Sequence, residues 1–203
     1  MNATRMLDRL SLNQGLAGNL SLRQDPPGML ITPTGMGPGV LTAEDMVAVD
    51  FDGSQEPGQR RPSSEWCLHA RVYQARPDLK ALVHTHSPYA TALACLEREI
   101  PAFHYMVAMA GGTRIPCAAY ATFGGSGLAE QCLNALGTRL RACLMAHHGL
   151  LAGGESLDAA LNLAVAVEHL AKIYCLASQI GDPVPLSTAQ IQQVQERLAD
   201  YGQ

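Results

Sequence analysis

Two apolar runs that each end in histidine set the terms for this fold. Ala81-Leu82-Val83 closes on His84-Thr85-His86, and Ala142-Cys143-Leu144-Met145-Ala146 closes on His147-His148-Gly149. Runs this short and this apolar read as buried strands, which calls for a sheet covered by helices. Side chains two apart on a strand point the same way, so His84 and His86 can reach one point in space. His147 and His148 are neighbours facing opposite sides, and the spacing leaves open which of them joins the pair. Imidazoles delivered at two strand ends build a three-histidine metal site, whose open coordination position is left for substrate. All-nitrogen ligation suits one zinc ion per chain, with other divalent transition metals as alternatives. His69, His104 and His169 have no such partners and read as structural.

The remaining pattern is mixed. An opening helix is expected to run to about Leu12 and stop in the Asn13-Gln14-Gly15 breaker. Gly18 to Arg23 and Met29 to Thr32 form a hairpin around Asp25-Pro26-Pro27-Gly28. Thr42-Ala43-Glu44-Asp45 has the form of a capping box, before a strand from Met46 to Phe51 and an Asp52-Gly53 turn. Pro62-Ser63-Ser64-Glu65 opens a helix to about Ala75 with serine at its cap. A helix over Tyr89 to Leu96, strand material up to Tyr120 and a helix over Leu128 to Leu136 follow. The His148 strand leads into Leu150 to Ala152. Ser156 to Ile180 is a long helix, apolar nearly all round, with Glu168 and Lys172 as its i,i+4 charge pair. Asp182-Pro183-Val184-Pro185 breaks the chain before a last helix from Thr188 to Ala199. Early hairpins with interleaved helices give an α/β class, one domain over residues 1–203, with a central largely antiparallel sheet covered by helices.

Composition narrows the function. Charged residues are only 16% of the chain against 47% hydrophobic, so part of the surface is expected to be buried against copies of itself. A net charge of −4 with no basic stripe argues against nucleic acid. The six cysteines (Cys67, Cys95, Cys117, Cys132, Cys143, Cys175) contain no C-x-x-C pair and read as small buried hydrophobes in a reducing compartment. Met1 to Leu10 lacks the apolar core of a signal peptide, and no uncharged apolar stretch reaches membrane-spanning length. A cytoplasmic location is expected.

Glu65 is the candidate carboxylate. An arbitrary first-turn glutamate merely complements the helix dipole, but this one follows two hydroxyls at a helix start, a ready anion site. Gly18-Asn19-Leu20-Ser21, Thr32-Pro33-Thr34-Gly35 and Ser63-Ser64 all look like phosphate grips. Each alone is an ordinary turn. Together with the histidines they suggest a substrate carrying phosphate at one end and metal-chelating oxygens near the other.

These residues, in order, resemble the class II aldolase/adducin family. The matching blocks begin with Leu12-Asn13-Gln14-Gly15, Gly18-Asn19-x-Ser21, Met29-Leu-Ile-Thr-Pro-Thr-Gly35, Ser63-Ser-Glu-Trp66 and His84-x-His86. They continue with Ile100-Pro-Ala-x-His-Tyr-Met106, Ile115-Pro-Cys117, Tyr120-Ala-Thr-Phe-Gly124, His147-His-Gly149 and Asp182-Pro-Val-Pro185. The resemblance implies zinc on His84, His86 and His148. It implies Glu65 as the acid/base that also ligates the ion when no substrate is bound. It assigns phosphate to Gly18 with Asn19, Thr34 with Gly35, and Ser63 with Ser64. Tyr105 and Tyr201 would protonate the departing aldehyde oxygen or close the site, in a homotetramer with sites between subunits. The opening helix is shorter than usual for the family, and the chain stops two residues after Tyr201, a tail expected to close poorly over substrate.

The implied reaction is reversible aldol cleavage of a ketose 1-phosphate to dihydroxyacetone phosphate and an aldehyde. A pentulose-phosphate 4-epimerase or a phosphosugar dehydratase on the same scaffold is the nearest alternative. Epimerase relatives usually carry aspartate where this chain has Glu65. A non-catalytic adducin-like interaction domain is the alternative from another class, and it would have no need of the histidines.

Overall fold

The computed structural model describes residues 2–25 and 27–199; Tyr201 lies outside them. The opening helix, α1 (Asn2–Arg9), stops earlier than the sequence suggests. Ser11 takes a left-handed φ of 55°, and the Leu12 and Ser11 amides donate to the carbonyls of Leu7 and Asp8. That is a Schellman stop, and the buried pair Leu7 and Leu12 supplies its usual apolar contact.

The hairpin forms as expected: β1 (Asn19–Gln24) and β2 (Gly28–Ile31) are antiparallel, closing at Gln24↔Gly28. The Asp45 carboxylate accepts from the Thr42 amide and hydroxyl, both at 2.8 Å, and β3 (Val47–Asp50) follows. Then come α2 (Trp66–Ala75), β4 (Ala81–Thr85), α3 (Pro88–Cys95) and β5 (Ile100–Pro101). The region expected as strand up to Tyr120 is mostly not strand. A 3₁₀ segment covers Tyr105–Ala110, and only two-residue strands β6 (Arg114–Ile115) and β7 (Cys117–Ala118) follow. Helix α4 (Ser126–Leu136), strands β8 (Ala142–Met145) and β9 (Gly149–Gly154), and helices α5 (Leu157–Ile180) and α6 (Thr188–Ala199) complete the chain.

The seven-stranded sheet runs β3-β2-β1-β4-β9-β8-β7, antiparallel except for the β7–β8 pair. Alternation along the strands divides the core. Ala81, Val83, Leu144, Leu150 and Ala152 pack with residues of α3 and α5 on one face. Leu82, Cys143, Met145 and Leu151 pack with α2 and α4 on the other. This is the helix-covered, largely antiparallel sheet that the sequence suggests.

By length and composition α5 is the one helix among the described residues that could cross a membrane. Its hydropathy has another use, because Ala160, Leu161, Ala164, Val167 and Leu170 are buried on the sheet. The expected Glu168–Lys172 pair does not form. Glu168 turns to α3 instead, accepting from the Tyr89 and Ala90 amides at 2.9 and 2.8 Å, while Lys172 lies over the Tyr89 ring. Two unsatisfied first-turn amides outbid a surface ion pair worth a fraction of a kcal/mol. Glu168→Ala is therefore expected to cost about 1–2 kcal/mol, read as a lowered melting temperature.

Candidate active site

The site sits where α2 begins against β1 and β4. On α2, Glu65, His69 and Tyr73 recur every fourth residue and form one stripe. On β1, Asn19 and Ser21 share a face. Four helical residues rise about 6 Å and two strand residues about 6.6 Å, so the two rows match rung for rung. Asn19 Nδ2 donates to Glu65 Oε2 at 2.8 Å. Ser21 Oγ lies 2.6 Å from His69 Nδ1 and 2.8 Å from the Tyr73 hydroxyl, which donates to the Ser21 carbonyl at 3.0 Å. Ser21 is thus turned into this buried ladder and not toward a ligand. His69 is structural, as expected, and burial pushes its imidazole down to about 4 against the pull of Glu65.

Asn19 pairs with His84 across β1 and β4, which brings the first histidine beside the carboxylate. His84 Nδ1 is 2.9 Å from the Leu150 carbonyl. A carbonyl only accepts, so Nδ1 carries the proton and Nε2 is left bare. That Nε2 lies 2.9 Å from His86 Nε2 and 3.1 Å from Glu65 Oε2. His148 Nε2 is 3.3 Å from Glu65 Oε1, and the ligand atoms of His84, His86 and His148 all lie within 4.8 Å of one another.

The ambiguity at His147-His148 is resolved by the backbone. The pair lies in the turn between β8 and β9 rather than on a strand, and His147 adopts a left-handed φ of 55°. That conformation sends His147 outward to Glu97, at 3.2 Å, and His148 inward. Gly149 is required there, because a Cβ would run into the Thr85 carbonyl oxygen. His86 lies just past the end of β4 and is fixed by Asn13, whose Oδ1 accepts the His86 amide at 2.9 Å. Gly18, at φ +76°, leaves Asn13 the space it occupies.

Burial comes first in holding His84 down to about 3, with Glu65 opposing it, and burial also lowers His86. Burial alone would raise the Glu65 carboxyl. The imidazoles of His84 and His148 and the Asn19 hydrogen bond outweigh it and keep the group below its ordinary value. Imidazoles converging on one point beside a carboxylate, with Glu65 Oε1 buried and without a hydrogen-bond donor, suit a divalent cation.

The cavity over this wall measures about 370 Å³ and is also lined by Gly18, Asn19, Thr34, Gly35, Ser63 and Ser64. A bridge between Pro33 and Pro62, with Thr34 N–Arg61 O and Ser63 N–Thr32 O hydrogen bonds, zips the two hydroxyl-bearing loops together. Glu65, not serine, occupies the cap position of α2; Ser63 Oγ accepts the Glu65 amide at 3.3 Å. Tyr105 is exposed and absent from the cavity wall. Leu16, Tyr120 and Phe123 form an apolar rim that no spacing pointed to. Asn13 was equally silent, since a side chain that caps a distant amide has no local pattern. The four-residue spacing of Glu65, His69 and Tyr73 is the sequence signal that marks this stripe.

The chain is similar over most of its length to known proteins. The family model described as Class II Aldolase and Adducin N-terminal domain matches residues 1–175. The chain is 48% identical over 202 residues to 5-methylthioribulose-1-phosphate/5-deoxyribulose-1-phosphate aldolase of Rhodospirillum rubrum, covering 100% of this chain and 90% of that one. It is 50% identical over 197 residues to L-fuculose phosphate aldolase of Escherichia coli, covering 97% and 90%. A solved structure of L-fuculose 1-phosphate aldolase superposes with a TM-score of 0.93 at 41% identity, over 98% of this chain and 93% of that one.

Proposed function

The chain belongs to the class II aldolase and adducin family and is an aldolase, and from its cavity we propose reversible cleavage of a ketose 1-phosphate to dihydroxyacetone phosphate and a short aldehyde. The observation that carries this reading is one cavity with two chemistries. His86, His148 and Glu65 line one wall with His84 buried against them, and two hydroxyl-bearing loops meet on another. His84, His86 and His148 would hold zinc, with Glu65 as a further ligand before substrate arrives. When bound, the ion supplies Lewis acidity that steadies negative charge on substrate oxygens.

Thr34 with Gly35, and Ser63 with Ser64, bind the phosphate near the start of α2, and Gly18 with Asn19 completes that wall. Anchoring the phosphate fixes the reacting carbons relative to Glu65. In synthesis Glu65 takes a proton from the hydroxymethyl carbon of dihydroxyacetone phosphate, and the electron pair left behind attacks the aldehyde carbon. In cleavage it returns that proton. Neither lysine, Lys80 or Lys172, lines the cavity, which fits a reaction without a Schiff base. Tyr105, off the wall of its own chain's cavity, acts in the site of a neighbouring copy within a homotetramer. Tyr201, outside the described residues, serves with it to protonate the aldehyde oxygen. Six free cysteines suit the cytoplasm.

The apolar rim of Leu16, Tyr120 and Phe123 favours an aldehyde ending in an apolar group. L-Fuculose 1-phosphate, giving L-lactaldehyde, is the leading substrate, and 5-deoxy- or 5-methylthioribulose 1-phosphate follows from the same rim. The zinc-loaded protein should release triose phosphate from this panel, measured by coupled reduction with NADH. Epimerised or dehydrated sugar without triose phosphate would overturn the reading in favour of the other chemistries on this scaffold.

A further inference from the structure

We propose that Asn13 is a positioning residue for the ion site, acting through the backbone of His86 so that the loop after α1 sets how tightly the cation is held. The proposal rests on the reading of His84, His86 and His148 as the ion's ligands. These imidazoles are not equally constrained. His84 is paired with β1, and its ring is fixed as well, with Nδ1 donating to the Leu150 carbonyl at 2.9 Å. His86 lies beyond the end of β4, and among the described residues its Nδ1 has no hydrogen-bond partner. Without an outer partner on the ring, the aim of this side chain depends on where its backbone is held.

The register that pairs Asn19 with His84 would set Ala17 opposite His86 and continue the ladder. Gly18 prevents it, because its left-handed φ of 76° takes the chain out of the strand. The Asn13 side chain fills the gap, its Oδ1 accepting the His86 amide at 2.9 Å. An N–H only donates, so Oδ1 and not Nδ2 must face it. A Cβ on residue 18 would collide with this side chain, so the glycine that ends the ladder also makes room for what replaces it. Asn13 itself is held from both sides. Leu12 before it is buried in the core, and the turn after it is closed by the Ala17 amide on the Gln14 carbonyl at 3.2 Å. Leu16 and Gly18 of the same loop line the cavity, so one segment borders the substrate and steadies a ligand of the ion.

The test is zinc affinity, measured by competition with a chromogenic chelator well below the melting temperature. Asn13→Leu keeps the volume and removes the acceptor, and its zinc dissociation constant should rise about 10–100-fold. Asn13→Asp, whose carboxylate accepts the same amide, should bind zinc at least as tightly as the wild type. That rescue separates positioning from packing, since both replacements are close to asparagine in size. Wild-type affinity in Asn13→Leu, or an Asn13→Asp protein as weak as Asn13→Leu, overturns the proposal. Wild-type protein that takes up no zinc overturns the ligand reading itself, and this proposal with it. If Asn13→Leu does not fold, Asn13→Ala removes the acceptor without adding bulk and carries the same expectation.

Discussion

Glu65→Gln is expected to cut kcat for aldol cleavage by about 10²–10⁴-fold while the protein keeps its ion and its affinity for inorganic phosphate. The substitution preserves shape. A glutamine oxygen can still accept from Asn19 Nδ2, now 2.8 Å from Oε2, so the α2–β1 ladder survives. What disappears is the group that carries the proton, because an amide neither takes nor returns it at neutral pH. The signature is a fall in kcat with little change in KM. Steady-state kinetics beside elemental analysis would reveal it, and an unchanged rate would remove Glu65 from the mechanism.

His84→Ala should act on the other half of the site, abolishing stoichiometric metal and cleavage together. Loss of an outer partner of a metal ligand costs about 10–100-fold in affinity or activity, and loss of the ligand itself should cost more. The residue is fully buried, and its Nδ1–H is the donor to the Leu150 carbonyl. Truncation therefore also strands that carbonyl, at about 1–3 kcal/mol. His86→Ala separates the two effects, since His86 is only half-buried and lies beyond the end of β4. It should lose metal with a smaller drop in melting temperature. A zinc-replete, active His84→Ala protein would contradict the ligand assignment.

Much of this was legible before any coordinates, for physical reasons. The long apolar run from Ser156 to Ile180 marked α5, where the structure makes Ser156 the cap whose hydroxyl accepts the Ala159 amide, and two-residue alternation put His84 and His86 on one side. Where the sequence misled, competition among partners decided. Glu168 prefers two amide donors to a surface lysine, and α1 ends at Arg9, with Ser11 turned left-handed and Leu12 packed into the core. The choice of His148 over His147 depends on a left-handed backbone angle that histidine seldom adopts. Strand alternation does not encode it; the resemblance carried by His147-His-Gly149 is what points to His148. Asn13 beside His86, 73 residues apart, is a tertiary coincidence of the same kind.

The place of β4 in the sheet has a consequence for how the ion is kept. It is the middle strand of seven, buried throughout, and bonded to β1 on one side and β9 on the other. Edges and loops fray readily, whereas central strands open only near the cost of unfolding the whole domain. His84 is anchored in that last-to-open segment and His148 in the turn entering its neighbour. Of the three imidazoles proposed to hold the ion, only His84 shares the protection of the central strand, whereas His86, past its end, and His148, in the turn, sit in segments that open at lower cost.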